Sequence, residues 1–406
     1  MLWNSVGSLV YFGFQWLMTV VVVRVSGNYE AAGVLALSMA VYNIISPFTV
    51  YRMFTYQISD VEHENSLGEY LTFRMVTVAI GMAFAGVYSL LTCPISAFIP
   101  IMLYLISKMC SQFLDSFHAT MQLNSRMDYI GKSYALQGAG TFASFFIVFY
   151  LTQSLSLAFA SMIVVEVAVG VFYVYPRGVA FEPVQLGISF EKVKHLLVYC
   201  FPIVIAAVAC SASPSIPRQF LAMAQGESML GIYASVAAPA AVIQMGASYI
   251  YTPLLSAFAT DYFGVNKKGF VSLLKKATVG IAIVGVLASI LLLVCGDWLL
   301  ALLFGPSVVE YAYLLLPVIW CTIITAYLWF FNDLLIAIRQ FKGAFVGNAI
   351  ALIVTLIVTI PVVNTFGANG VSFTNIIAFA VGTLVLTYYL LAAIRGMTAQ
   401  EATEAE

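Results

Sequence analysis

Twelve apolar stretches of about 20 residues, separated by short polar breaks, set the first limit on what this sequence can fold into. They fall at roughly 4–23, 31–57, 71–92, 97–121, 133–151, 155–175, 196–220, 229–255, 277–296, 311–335, 344–363 and 370–394. Inside a bilayer only helices and closed barrels satisfy their own backbone, and stretches of this length are helical spans, so the chain is expected to be an all-α polytopic membrane protein. Composition agrees: 62% of residues are hydrophobic and 9% charged, where soluble domains carry about a quarter charged. A net charge of -1, with no basic stripe along a helix face, excludes a nucleic-acid partner. The six cysteines (Cys93, Cys110, Cys200, Cys210, Cys295, Cys321) sit in or beside apolar spans without CxxC spacing, which indicates neither zinc nor a disulfide framework. The first span lacks a charged lead-in and a small-residue cleavage site and is expected to be a retained anchor.

The stretch from Leu196 to Gly231 interrupts this pattern. It carries Pro202, Pro214, Pro217 and then Arg218, so it is expected to kink and to face protein or a wet cavity. It begins near the middle of the chain, after the longest polar segment of the interior. That divides the sequence into a six-helix bundle over 1–175, a cytoplasmic linker over 176–195, a second six-helix bundle over 196–394 and a short acidic tail over 395–406, expected to be disordered and cytoplasmic. Shifting the chain by 201 residues lays Asp60, Asn65, Gly68, Thr77 and Val78 on Asp261, Asn266, Gly269, Thr278 and Val279, with Arg74 on Lys275. Each half has an even number of helices, so a pseudo-twofold axis along the membrane normal relates them. Two such bundles facing each other across a cleft make a transporter architecture. Basic residues set the orientation. With the N-terminus inside, thirteen lysines and arginines, Arg74 among them, are cytoplasmic, and only Arg24 and Arg218 lie toward the outside.

Polar stripes at helical spacing mark the helices expected to line the cleft: Asn4, Ser8, Tyr11, Gln15 and Thr19 in the first, and Tyr42, Ser46, Thr49, Arg52 and Tyr56 in the second. The fourth carries Lys108, Ser111, Gln112, Asp115, His118 and Gln122, the eighth Gln244, Ser248, Thr252 and Ser256, and the tenth Thr322, Thr325, Trp329, Asn332 and Asp333. Helices three and nine are nearly pure hydrocarbon and should face lipid. Such stripes also serve ordinary helix packing. Charges within spans are sharper signals, because each costs at least about 2.5 kcal/mol at the bilayer centre. Lys108 and Asp115 read as a structural ion pair, as links to a neighbouring helix or as functional groups, Glu166 as structural, Asp333 as a group near water, and Arg52 and Arg218 as substrate ligands or snorkelling side chains.

No catalytic constellation is present. His63, His118 and His195 are too scattered for a metal site, no GxSxG occurs, and the run Gly131-Lys132-Ser133 lacks the first glycine of a phosphate-binding loop. The chain is not expected to be an enzyme. The run Gly33-Val-Leu-Ala-Leu-Ser-Met-Ala, the segment from Arg52 to Asp60 with Gly68 to Arg74, and Ser215-Ile-Pro-Arg218 with Gly226 to Tyr233 resemble polysaccharide flippases. These are Wzx-type lipid-linked oligosaccharide transporters of the MATE-like superfamily. The resemblance implies a V-shaped pair of bundles, a cavity lined by helices one, two, seven and eight, and a glycan carried on undecaprenyl pyrophosphate across the bacterial plasma membrane by alternating access. In that scheme Arg52 and Arg218 meet the pyrophosphate, and the stripes that include Gln15, Tyr42 and Gln244 meet sugars. Asp115 or Asp333, with Lys108 beside Asp115 in sequence, couples a proton or sodium ion, and no other cofactor is expected. Expected partners are the lipid-linked oligosaccharide, membrane lipids, and assembly proteins such as a polysaccharide polymerase. A MATE-type drug antiporter is the alternative, and a glycan polymerase or ligase is disfavoured by the short outer loops.

Overall fold

The computed structural model describes residues 2–60 and 64–404, so His63 lies outside it. Every regular element among these residues is helical. The first half contains α1 (Leu2–Ser26), α2 (Glu30–Val50), α3 (Met53–Ser59), α4 (Leu67–Thr92), α5 (Ile95–Leu123), α6 (Met127–Thr152) and α7 (Leu155–Val169). A wide π turn (Gly170–Val174) carries α7 into the short α8 (Tyr175–Val179). There follow α9 (Phe190–Ala212), α10 (Ile216–Gln225), α11 (Glu227–Ala237), α12 (Ala241–Tyr251), α13 (Leu255–Phe263), α14 (Lys267–Phe304), α15 (Leu315–Ala337), α16 (Phe341–Phe366) and α17 (Asn369–Glu404). Ten helices are long and apolar enough to cross a membrane, and twelve spans result when two bent pairs each count as one. The chain is a multi-pass, all-α membrane protein.

Both bent pairs fall where the prolines interrupt the sequence. Helix α9 bends by 53° between Phe201 and Ile203, and the chain bends by 45° between α11 and the segment Ala241–Phe263. The remaining prolines act differently from expectation. Pro214 lies in the break between α9 and α10, and Pro217 in the first turn of α10, where a missing N–H costs little. The seventh span therefore ends at Ala212 and not near 220. The second bend, at a break containing Pro239, was not expected.

The start of α4 also differs from the sequence expectation, and a cap explains why. The Ser66 hydroxyl accepts from the Glu69 N–H at 3.2 Å, and the Glu69 carboxylate accepts from the Ser66 N–H at 2.9 Å, a capping box that fixes the first turn at Leu67. Glu182, from the connection after α8, accepts from the Leu67 N–H at 2.6 Å, and Lys192 in α9 reaches Glu69 at 2.8 Å. Arg74, counted above among cytoplasmic loop residues, is thereby two turns inside a helix and fully buried. At the other end of the chain, α17 runs through Glu404, so the tail expected to be disordered is helical as far as it is described.

The chain divides into two compact units, Met1–Ser211 with Gly226–Gly231, and Ala212–Gln225 with Ile232–Glu406. In the first, α1 meets α6 backbone to backbone, since a Cβ on Gly7 would collide with the Gly131 carbonyl. The short Gly226–Gly231 piece joins it by the same device, Gly33 lying against the Glu227 carbonyl and Gly231 against that of Tyr29. In the second, Phe258, Phe270, Phe330 and Leu334 form the centre of the core. Exposed apolar side chains line α4 beyond its first turns (Ile80, Phe84, Val87, Leu91) and α14 (Ile283, Val286, Leu287, Ile290), as befits helices three and nine facing lipid.

Candidate functional site

Helix α5 places Lys108, Ser111, Gln112, Asp115 and His118 on one face by their spacing of three and four, and this face is turned into the first bundle. The neighbouring helices answer it with polar groups. The His118 ring lies 3.4 Å from Asp115 through Nδ1 and 2.9 Å from the Ser133 hydroxyl of α6 through Nε2. Gln137 donates to the same hydroxyl at 2.9 Å and accepts from Ser111 at 2.7 Å, while Tyr134 donates to Asp115 at 3.3 Å. Gln112 donates to the Tyr42 hydroxyl at 2.8 Å and accepts from Thr49 at 3.0 Å, which ties α2 to α5. Asp115, His118 and Ser133 thus form a string of groups able to pass a proton.

Four charged side chains share this interior. The Lys108 ammonium donates to the Tyr11 hydroxyl at 3.3 Å and lies 5.3 and 5.4 Å from the Tyr11 and Tyr104 ring centres, a cation held by aromatic faces. It forms no ion pair with Asp115, contrary to one of the readings above; the described partner of Asp115 is His118. Arg74 donates through Nη1 to the Gln112 carbonyl at 3.1 Å, whereas its Nε and Nη2 are buried without hydrogen-bond partners. Glu166 on α7, read above as a structural pair member, is 2% exposed and, among the described residues, forms no salt bridge and has a buried Oε2 with no hydrogen-bond partner. Unsatisfied buried groups of this kind cost about 1–3 kcal/mol each, and more when charged. A bundle that keeps them keeps them for a reason other than packing.

The other predicted residues lie elsewhere. Arg52 is exposed and stands between α2 and α3, where Tyr51 and Arg52 both have left-handed backbones (φ 48° and 58°), outside the buried network. Gln15 is half-buried on α1, with its amide nitrogen unpartnered. In the second unit Arg218 is half-buried at the start of α10 within electrostatic reach of Tyr233 and Cys321, and Gln244 is half-buried on α12. Asp333 accepts from Tyr251 at 3.0 Å and from Asn332 at 3.1 Å. Tyr42, Lys108 and Asp115 therefore lie in one polar interior, each in its own hydrogen-bonded group, and Arg52 lies outside it. Sequence reasoning missed Arg74 and the Ser133–Gln137 link. The capping box Ser66-x-x-Glu69 was legible and would have moved the start of the third span from 71 to Leu67, setting Arg74 two turns inside it and not in its first turn. A separate pocket of about 250 Å³ lies between Tyr56, Glu64, Asn65, Lys192, His195 and Leu196.

No family model matches the sequence, and no curated protein matches it. Solved structures do. An inward-facing multidrug resistance MATE family transporter of the MOP superfamily aligns with a TM-score of 0.71 at 13% identity, over 94% of this chain and 96% of that one. The lipid II flippase MurJ, in an inward closed conformation, aligns with a TM-score of 0.75 at 11% identity, over 97% of this chain and 90% of that one. A MOP superfamily transporter from Pyrococcus furiosus, described as having a binding pocket of reversed polarity, aligns with a TM-score of 0.59 at 15% identity, over 98% and 96%. The fold is that of the MATE-like, MOP superfamily transporters.

Proposed function

We propose that this protein is an alternating-access flippase for an anionic lipid-linked oligosaccharide, a glycan on polyprenyl pyrophosphate, serving surface polysaccharide assembly at a bacterial plasma membrane. The observation that carries this reading is Arg52. It is an exposed guanidinium within an apolar span, without an ion-pair partner among the described residues, on two successive left-handed non-glycine residues. Such backbone costs on the order of 1–3 kcal/mol per residue and concentrates at functional positions. A guanidinium offers a pyrophosphate bidentate, charge-assisted hydrogen bonds. The fold shared with a lipid II flippase supports the same cargo class. In this scheme Arg218 is the second pyrophosphate ligand, and Gln15, Tyr42 and Gln244 meet sugars. A proton or sodium ion couples at Asp115, with Lys108 and Glu166 setting the local charge, or at Asp333.

The test is genetic and chemical. Deleting the gene should accumulate a lipid-linked glycan in the inner leaflet, and restoring it should clear the intermediate. Arg52→Ala and Arg218→Ala should each abolish export at normal membrane abundance, with the Lys variants keeping part of the activity. Normal glycan export from both Ala variants would remove these residues from the mechanism. A second reading, a cation-coupled drug antiporter, is favoured by the two carboxylates Asp115 and Glu166 and by the MATE neighbours. Resistance to cationic dyes on expression, without binding of polyprenyl pyrophosphate, would select it.

A further inference from the structure

We propose that one corner of the first unit, where α6 begins and α8 ends, is a binding site for an anionic phospholipid of the surrounding bilayer. Four side chains build it. The Arg126 guanidinium lies 3.7 Å from the Tyr129 ring centre, and Arg177 lies 3.8 Å from that of Tyr173 and 5.6 Å from that of Tyr129. Both tyrosines pack against the buried cluster of Leu67, Leu114, Phe117 and Ile130, so the rings are fixed from below and the guanidinium planes are fixed by the rings. On the flank, Lys132 lies 5.4 Å from the Trp3 ring, which the Gly7–Gly131 crossing holds beside α6.

The charges at this corner do not cancel. Arg126 is committed to Asp128 through two bonds of 2.9 Å. Arg177 gives one donor to the Tyr173 carbonyl at 2.8 Å, and neither it nor Lys132 has a carboxylate within salt-bridge distance among the described residues. Two cations are therefore left over, one of them an arginine with unspent N–H groups on a preorganised plane. Next to Arg177, on the same helical segment, Val164, Val167, Val171, Phe172 and Tyr175 are all exposed at spacings of mostly three and four. An anionic head held by Arg177 and Lys132 would have acyl chains running down that ladder. The pairing of surplus positive charge with an adjoining apolar track fits an amphiphile, and not a free phosphate or a nucleic acid. The second unit offers a contrast: Arg339 lies 5.6 Å from Phe263, its only ring contact among the described residues.

The experiment uses the full chain purified in detergent, with bound lipid counted by native mass spectrometry after addition of phosphatidylglycerol, phosphatidylcholine or polyprenyl phosphate. Phosphatidylglycerol should be retained in preference to phosphatidylcholine. Arg177→Gln and Lys132→Gln should each lower its retention about fivefold, near the effect of one basic residue at an anionic surface. Arg177→Lys, which keeps the charge but not the stacked plane, should recover only part of the retention, and Arg339→Gln should change nothing. Equal retention of the zwitterionic lipid by the unaltered protein overturns the proposal whatever the variants do. So does unchanged retention in both Gln variants, or a preference for polyprenyl phosphate that these variants abolish, which would make the corner a port for cargo.

Discussion

The interiors of the two units use similar side chains in different balance, each containing both cross-helix and same-helix bonds. In the first, hydroxyls and amides reach from one helix to the next: Ser111 to Gln137, Thr49 to Gln112, Gln57 to the Ser116 carbonyl at 3.0 Å. In the second, threonines turn back on their own helix. Thr322, Thr325, Thr355 and Thr359 donate to the carbonyls four residues earlier at 2.6–2.9 Å. The first interior holds Arg74, Lys108, Asp115 and Glu166, whereas Asp333 is half-buried and hydrogen-bonded at the edge of the second core. A polar stripe in a membrane helix is thus two different things. One kind couples helices and carries charge, and the other only satisfies a backbone.

The sharpest test of that contrast is Arg74 against its repeat counterpart Lys275. Arg74→Ala empties a fully buried site and removes the donor to the Gln112 carbonyl, and should destabilise the first unit by about 2–5 kcal/mol, seen as a collapse of membrane abundance. Lys275→Ala, at an exposed position, should stay within about 0.5 kcal/mol. Next come the carboxylates. Asp115→Asn should abolish coupled transport with little loss of protein, and Asp333→Asn should spare most of it. The reverse outcome in a transport assay would move ion coupling into the second unit.

Smaller effects distinguish the hydrogen bonds. Gln137→Leu strands Ser111, leaves Ser133 with His118 alone and should lower stability by about 1–3 kcal/mol in thermal melts, whereas Thr325→Val loses one bond within its own helix and should cost less than about 1 kcal/mol. The smallest effects concern the loops. Ser66→Ala and Asn266→Ala each remove a helix cap and should cost about 1 kcal/mol, with Ser66 the larger because Glu69 caps in return. Equal losses at Gln137 and Thr325 would erase the distinction between coupling and self-satisfying stripes.

Much of this was legible in the residues. Hydropathy alone marks the spans, because the bilayer leaves the backbone few choices, and the proline-rich stretch marks the first bend, at Pro202, but not the second. The repeat also has a physical basis. Asp60 accepts from the Glu64 and Asn65 N–H groups, and Asp261 accepts from the Asn266 side chain, so each aspartate shapes the loop that opens the next long helix. The site was legible only as stripes. Periodicity says that Lys108, Gln112 and Asp115 share a face, but not whether that face meets a cavity or another helix. The left-handed break at Tyr51–Arg52 had one local herald, Pro47, and the strain there depends on tertiary context that no spacing encodes.

The burial of Arg74 has a consequence for how the chain is made. Helix α4 must enter the membrane with an arginine two turns from its start, at a cost of up to about 2.5–3.5 kcal/mol if the residue lies near the bilayer centre. Its described hydrogen-bond partner, the Gln112 carbonyl, belongs to a helix that the ribosome has not yet delivered. Until α5 arrives, the Arg74 guanidinium has only the membrane interface to take its hydrogen bonds, which its place two turns from the start of α4 puts within reach. The buried arginine is thus satisfied only by a helix made after its own.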